Sequence, residues 1–213
     1  MEKNMKVITI KLGSSVLLTQ RNKLDEFRVA HIADQILSLR EKSIGVILVV
    51  SGAVACGANY VNFSSDDHEL KMMAAGIGQA YIISVFQQIF SRKHLQIAQV
   101  LLTKDILSSN IKKGALNKLL QTYLKIGVVP VINENDVIDL NSFGGNDFLA
   151  ADVSILLNVD KLLILSTMVG SVYGVGGGEA KQQALELLSK TNIQADIVDG
   201  KSQNIILQST YEK

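Results

Sequence analysis

A lysine closing one apolar strand, a run of amides and carboxylates closing another, and an aspartate opening a helix are the residues here whose types could do chemistry. Val128-Val-Pro-Val-Ile132 reads as a buried parallel strand, because apolar side chains occupy both faces instead of alternating with polar ones. Asn133, Glu134, Asn135 and Asp136 follow directly. That is the carboxyl end of the strand, where open α/β sheets bind their ligands. Amides and carboxylates there could hold an ammonium group and orient a small polar substrate, with Asp136 as the anionic partner. Asn and Asp also build ordinary loops, but four polar residues in a row exceed what a turn requires.

Lys11 ends the first apolar strand and runs into Gly13, Ser14 and Ser15. A lysine in that position is either a point charge for phosphate oxygens or a side chain snorkelling from a strand end. The small residues after it, and those in Ser51-Gly-Ala-Val-Ala-Cys-Gly57, allow tight turns and leave amide N–H groups to meet an anion. Gly144-Gly145-Asn146-Asp147 opens an apolar helical stretch. Asn146 or Asp147 could cap that helix, or the aspartate could hold lysine ammonium groups around a phosphate. Gly174-Val-Gly-Gly-Gly178, with Gly176 and Gly177 at its centre, precedes Lys181, a second candidate cation. The spacing fits neither a P-loop nor a dinucleotide fingerprint.

Positioning these residues requires short strands alternating with long amphipathic helices. Strands are expected at Lys6–Lys11, Gly45–Val50, Gln96–Leu102, Val128–Ile132, Lys161–Ser166 and, more weakly, Asp196–Val198. Helices are expected at about Asp25–Lys42, Asp67–His94, Ile111–Ile126, Asn146–Asn158 and Glu179–Lys190. That alternation indicates βα units around a mostly parallel central sheet, covered by helices on both faces.

Composition closes off other classes. The 213 residues are 47% hydrophobic and 19% charged, which fits a folded chain of one domain with large buried segments. A net charge of +1 offers no global field for nucleic acid. The single cysteine, Cys56, makes no internal disulfide, and the three histidines fall in unrelated segments without metal spacing, so no metal site is expected. The opening residues lack a signal-peptide core, and no apolar run reaches roughly 18 residues, so no membrane partner and a cytoplasmic location are expected.

Several strings together resemble the amino-acid kinase family, and within it the glutamate 5-kinase branch. They are Ile10-Lys-Leu-Gly-Ser-Ser-Val16, Val50-Ser-Gly-Ala-Val-Ala-Cys-Gly57, Ala75-Gly-Ile-Gly-Gln79, Leu101-Leu-Thr103, Val129-Pro-Val-Ile-Asn-Glu-Asn-Asp136, Gly144-Gly-Asn-Asp147 and Leu162-Leu-Ile-Leu165. The resemblance implies a three-layer α/β/α fold, a homo-oligomer (dimer or tetramer), and transfer of the ATP γ-phosphoryl group to the side-chain carboxylate of L-glutamate, with Mg2+ on the nucleotide. It implies Lys11, Asp147 and Lys181 as the catalytic set, Ser51, Asp136 and Asn146 on glutamate, and phosphate or nucleotide contacts from Lys11, Gly13, Ser14, Ser166, Thr167, Gly176, Gly177 and Lys181.

The chain also departs from that pattern. The family has Gly-Asp-Asn-Asp where Gly144-Gly145-Asn146-Asp147 stands, so one carboxylate is missing, and Thr-Asp where Ser166-Thr167 stands. It carries a few dozen residues between its equivalents of Tyr173 and Gly174, which are adjacent here. The chain also ends without the additional C-terminal domain found in many members. The alternative expectation is therefore a degenerate, non-catalytic relative that binds glutamate or a similar small anion.

Overall fold

The computed structural model describes residues 5–61, 63–64, 66–167 and 178–211. Along the chain run β1 (Val7–Leu12), α1 (Ser14–Leu17), α2 (Glu26–Glu41), β2 (Gly45–Val50), α3 (Ala53–Gly57), α4 (His68–Ser91) and β3 (Ile97–Leu102). There follow α5 (Lys104–Ser108), α6 (Asn110–Lys125), β4 (Val129–Glu134), α7 (Asn146–Leu157), β5 (Lys161–Ser166), α8 (Gly178–Leu188), β6 (Gln194–Asp199) and α9 (Ile205–Tyr211). The strands form one sheet in the order β3-β4-β2-β1-β5-β6, and every neighbouring pair is parallel. This is the α/β architecture that the alternation of patterns implies.

Two cores flank the sheet, and strand alternation sorts residues between them. Ile8, Ile10 and Leu12 of β1 join Leu48, Val131 and Leu163 in one core, beneath α2, α4 and α9. Ile47, Val49, Ile132, Leu162 and Ile164 fill the other, beneath α6, α7 and α8. The odd positions of β1, Thr9 and Lys11, therefore face the α7 side, and both are buried. β1 lies between β2 and β5. The order changes direction there, so the carboxyl ends of β1, β2, β4 and β5 converge on one edge.

Three expectations need correction. β4 continues through Asn133 and Glu134, which pair with Leu101 and Leu102 of β3 and are fully buried. Their polar groups are satisfied inside the protein, so the strand has no reason to stop at Ile132. The short helices α1, α3, α5 and α9 were not anticipated, since four to seven residues carry too little periodicity to read. Finally, α4 is long and apolar enough, by length and composition, to cross a membrane. Half of its most apolar window is buried in the fold, where Ile82, Phe86 and Phe90 enter the first core.

Where α3 crosses α4, the backbones touch. A Cβ on Gly57 would lie 1.8 Å from the Ala74 carbonyl oxygen, and one on Gly78 would lie 1.8 Å from the Ala53 carbonyl oxygen. Only glycine permits this approach at either position. It seats α4 against α3, the helix that follows Ser51, and it fixes the position of Gln79. Gly78→Ala should therefore lower unfolding free energy by about 3 kcal/mol or more, through overpacking that no rotamer change relieves. Urea denaturation measures this, and a variant of wild-type stability would show that the two helices can separate without cost.

Candidate active site

Lys11 is the last but one residue of β1, and the sheet leaves its ammonium group almost no water. A buried lysine needs a counter-charge. Asp147, from the first turn of α7, supplies it: Lys11 Nζ lies 2.7 Å from Asp147 Oδ1, with both side chains under 10% exposed. Lys181 of α8 approaches the other oxygen, its Nζ 3.6 Å from Asp147 Oδ2. One carboxylate thus bridges two cations at the carboxyl edge of the sheet. Burial pulls the Lys11 pKa down, Asp147 opposes that, and Lys181 adds to it.

Gly145 determines how α7 begins. It is the helix N-cap at φ 123° and ψ 154°, a conformation only glycine adopts readily. No side chain caps the helix. The capping alternative for Asn146 and Asp147 therefore fails, and both side chains are available to the site. The loop ahead of them is anchored by Glu134, whose Oε2 accepts from the Phe143 N–H at 3.0 Å. Burial raises the Glu134 pKa, offset in part by this bond and by the Gly145 N–H.

A chain of amides lies beside the charged group. Asn146 Nδ2 reaches the Val50 carbonyl at 3.1 Å, Ser51 Oγ at 3.2 Å and Asn133 Oδ1 at 2.9 Å. Asn133 Oδ1 also accepts from the Glu134 N–H at 2.9 Å, and its Nδ2 donates to Gln79 Oε1 at 2.7 Å. Ser51 and Asn146, both expected on the substrate, are thereby brought together. Asp136 stands apart from them: its Oδ1 accepts from the Asn141 N–H at 2.9 Å, and it lines a neighbouring cavity with Gln79 and Glu134. Its pKa is raised by burial, with the Asn141 bond opposing.

The expected phosphate contacts fare unevenly. Gly13 packs against β5, and its N–H donates to the Leu165 carbonyl at 3.1 Å, so this amide serves the sheet and not an anion. Ser14 is exposed at the start of α1. Ser166 is buried at the end of β5, and Thr167 beside it is exposed. Gly176 and Gly177 lie outside the described residues. Among the described residues, no group of three or more His, Cys, Asp or Glu side chains could hold a metal. Sequence reasoning gave Gln79 no role, although it ends the Ala75–Gln79 string. A glutamine on a largely apolar helix face carried the signal.

Breaking the charge bridge should be costly, and removing it whole should not. Asp147→Ala strands Lys11 as a buried, unpaired cation and should cost about 3–5 kcal/mol. Adding Lys11→Met to that variant should recover most of the loss, because the desolvation penalty disappears with the charge. Urea denaturation of the two variants provides the comparison; a double variant no more stable than the single one would contradict the assignment.

The model of the amino acid kinase family matches residues 6–204. The glutamate 5-kinase of Aquifex aeolicus is 33% identical over 231 aligned positions, covering 93% of this chain and 65% of that protein. That of Aliivibrio salmonicida is 29% identical over 243 positions, covering 97% and 66%. The chain therefore spans about two thirds of the length of these relatives. Both alignments are longer than the chain itself, so the relatives contain residues without counterparts here. Among solved structures, UMP kinase from Ureaplasma parvum superposes with a TM-score of 0.67 at 16% identity, covering 98% of this chain and 96% of that one. At that identity the likeness carries the three-layer fold alone. The chain belongs to the amino acid kinase family.

Proposed function

We propose that this chain is a glutamate 5-kinase, transferring the γ-phosphoryl group of ATP to the side-chain carboxylate of L-glutamate. The observation that carries the reading is the pair of cations, Lys11 and Lys181, bridged by one buried carboxylate at the carboxyl edge of the sheet. Phosphoryl transfer requires positioning and charge stabilisation more than covalent help from the protein. A carboxylate oxygen of glutamate attacks the γ-phosphorus as the bond to the β-phosphate oxygen breaks, giving a γ-glutamyl phosphate and ADP. Lys11 stabilises the equatorial oxygens of the transferring group, and Lys181 the charge on the leaving side. Asp147 keeps the two ammonium groups apart and directed. Ser51, Asn146 and Asp136 hold glutamate, while Ser14, Ser166, Thr167, Gly176 and Gly177 belong to the nucleotide side.

Magnesium would enter this scheme on ATP. When bound, it neutralises the nucleotide phosphates. We further propose one catalytic domain, shortened around residues 173–174, acting in the cytoplasm at the opening of proline synthesis. A homo-oligomer, dimer or tetramer, is supported by the edge of β3, which no described strand pairs, and by exposed Met73, Ile77, Val137 and Ile138. Light scattering coupled to gel filtration should give a mass above 23.1 kDa; a monomer at micromolar concentration contradicts this part.

A second reading has its own support. The relatives' extra aligned positions, and Gly145 in place of a carboxylate, favour a non-catalytic relative that binds glutamate or a similar small anion. Glutamate-dependent ADP release separates the two. The kinase reading expects release that needs L-glutamate and Mg2+, and that falls at least about 100-fold in Lys11→Ala. Folded wild-type protein with no release above that control leaves the binding reading.

A further inference from the structure

At the amino-terminal edge of the sheet, a cavity of about 230 Å³ opens between the last turns of α2 and α6 and the starts of β2 and β4. Met5, Ile44, Leu124 and Val128 give it apolar walls, and Arg40, Lys125 and Ser43 are its polar side chains. No Asp or Glu is among the described residues that line it. The two strands are six residues long, so the cavity lies about 20 Å from the carboxyl edge that carries Lys11 and Asp147.

Arg40 is half-buried, and its guanidinium rests on Gly127. Gly127 has φ 78°, and a Cβ there would lie 3.1 Å from Arg40 Cζ, with Nη2 nearer still. The missing side chain is thus the seat that the guanidinium occupies. Basic residues in a last helical turn commonly serve the carbonyl groups there. Here the backbone has already taken those groups. The Leu39 carbonyl accepts from the Lys42 and Ile44 N–H groups, that of Arg40 from Ser43, and that of Leu124 from Gly127. Among the described residues, the side chains of Arg40, Lys125 and Ser43 make no hydrogen bond or ion pair. A seated guanidinium, a second cation, a hydroxyl donor and no competing carboxylate together suit an oxyanion, since the guanidinium fork matches carboxylate and phosphate geometry. The apolar walls take a short hydrocarbon end beside it. We propose that this cavity binds a small organic oxyanion, a carboxylate or a phosphate monoester, at a site separate from the candidate active site. The inference does not depend on the kinase reading.

NMR of the full chain carrying methyl-13C methionine reads the site directly, because Met5 lines it while Met72 and Met73 lie on α4. Met5→Leu assigns the resonance. Titration with inorganic phosphate or with butanoate at low ionic strength should move the Met5 signal to saturation, with a midpoint in roughly the low-millimolar range. The ligand with the lower midpoint tells phosphate from carboxylate. Arg40→Gln should raise the midpoint about tenfold or more, because a charge-assisted fork is lost. Lys11→Ala should leave it unchanged, which separates this site from phosphate bound among the active-site lysines. Sodium chloride at matched ionic strength should leave the signal in place. A Met5 signal that neither ligand moves overturns the proposal. So does one that sodium chloride moves equally, or one that keeps the wild-type midpoint in Arg40→Gln. If Arg40→Gln does not fold, Arg40→Lys decides: it keeps the charge but loses the fork, so an unchanged midpoint there overturns the proposal too.

Discussion

A positive charge buried at the end of the central strand is the constraint around which this edge of the protein is arranged. Lys11 sits on β1, with strands on both sides and a helix layer above, so its ammonium group has lost nearly all its water. Desolvation of that size requires an anion in contact. The nearest polypeptide able to supply one is the first turn of α7, which must therefore begin over the end of β1. Gly145 gives the turn its abrupt entry, Glu134 ties down the loop before it, and Asn146 pins the helix start to the end of β2. Each follows from the need to deliver one carboxylate to one lysine.

The two halves of the site use different physics. The charged half, Lys11, Asp147 and Lys181, acts through field and tolerates small shifts in position, because Coulomb energy falls slowly with distance. The amide half, Ser51, Asn146, Asn133 and Gln79, acts through directed hydrogen bonds, which weaken steeply once bent or stretched. The directional half is accordingly tied to backbone groups of β2 and β4, both interior strands of the sheet. The charged half draws on helices from two segments and includes a longer contact of 3.6 Å.

Much of this was legible in the sequence because strands buried on both faces announce themselves as runs such as Gly45–Val50 and Lys161–Ser166. Lys11 stood out by interrupting such a run. Asn133 and Glu134 misled at the boundary: polar residues after an apolar run look like a loop, and only the partners supplied by Gln79, Asn146 and Phe143 make them strand. Gly13 misled in the opposite way, since nothing local says that its N–H is taken by Leu165, far along the chain. Gln79 did not stand out because its place in the amide chain depends on which of its two ends faces Asn133. Residue type alone does not carry that information; three-dimensional satisfaction of polar groups does.

The placement of β1 has a consequence for how the protein comes into being. β1 occupies the middle of the sheet, and its second edge is completed only by β5, far along the chain. Pairing of such separated segments carries a large loop-closure cost and slows folding. Until β5 arrives, the row of N–H and C=O groups from Ile8 to Leu12 is an open template, and apolar side chains flank it. The residues that later surround the lysine are therefore the ones most exposed to mispairing in the nascent chain. Slow assembly and a hazard of aggregation are the developmental cost of placing the key cation on the innermost strand.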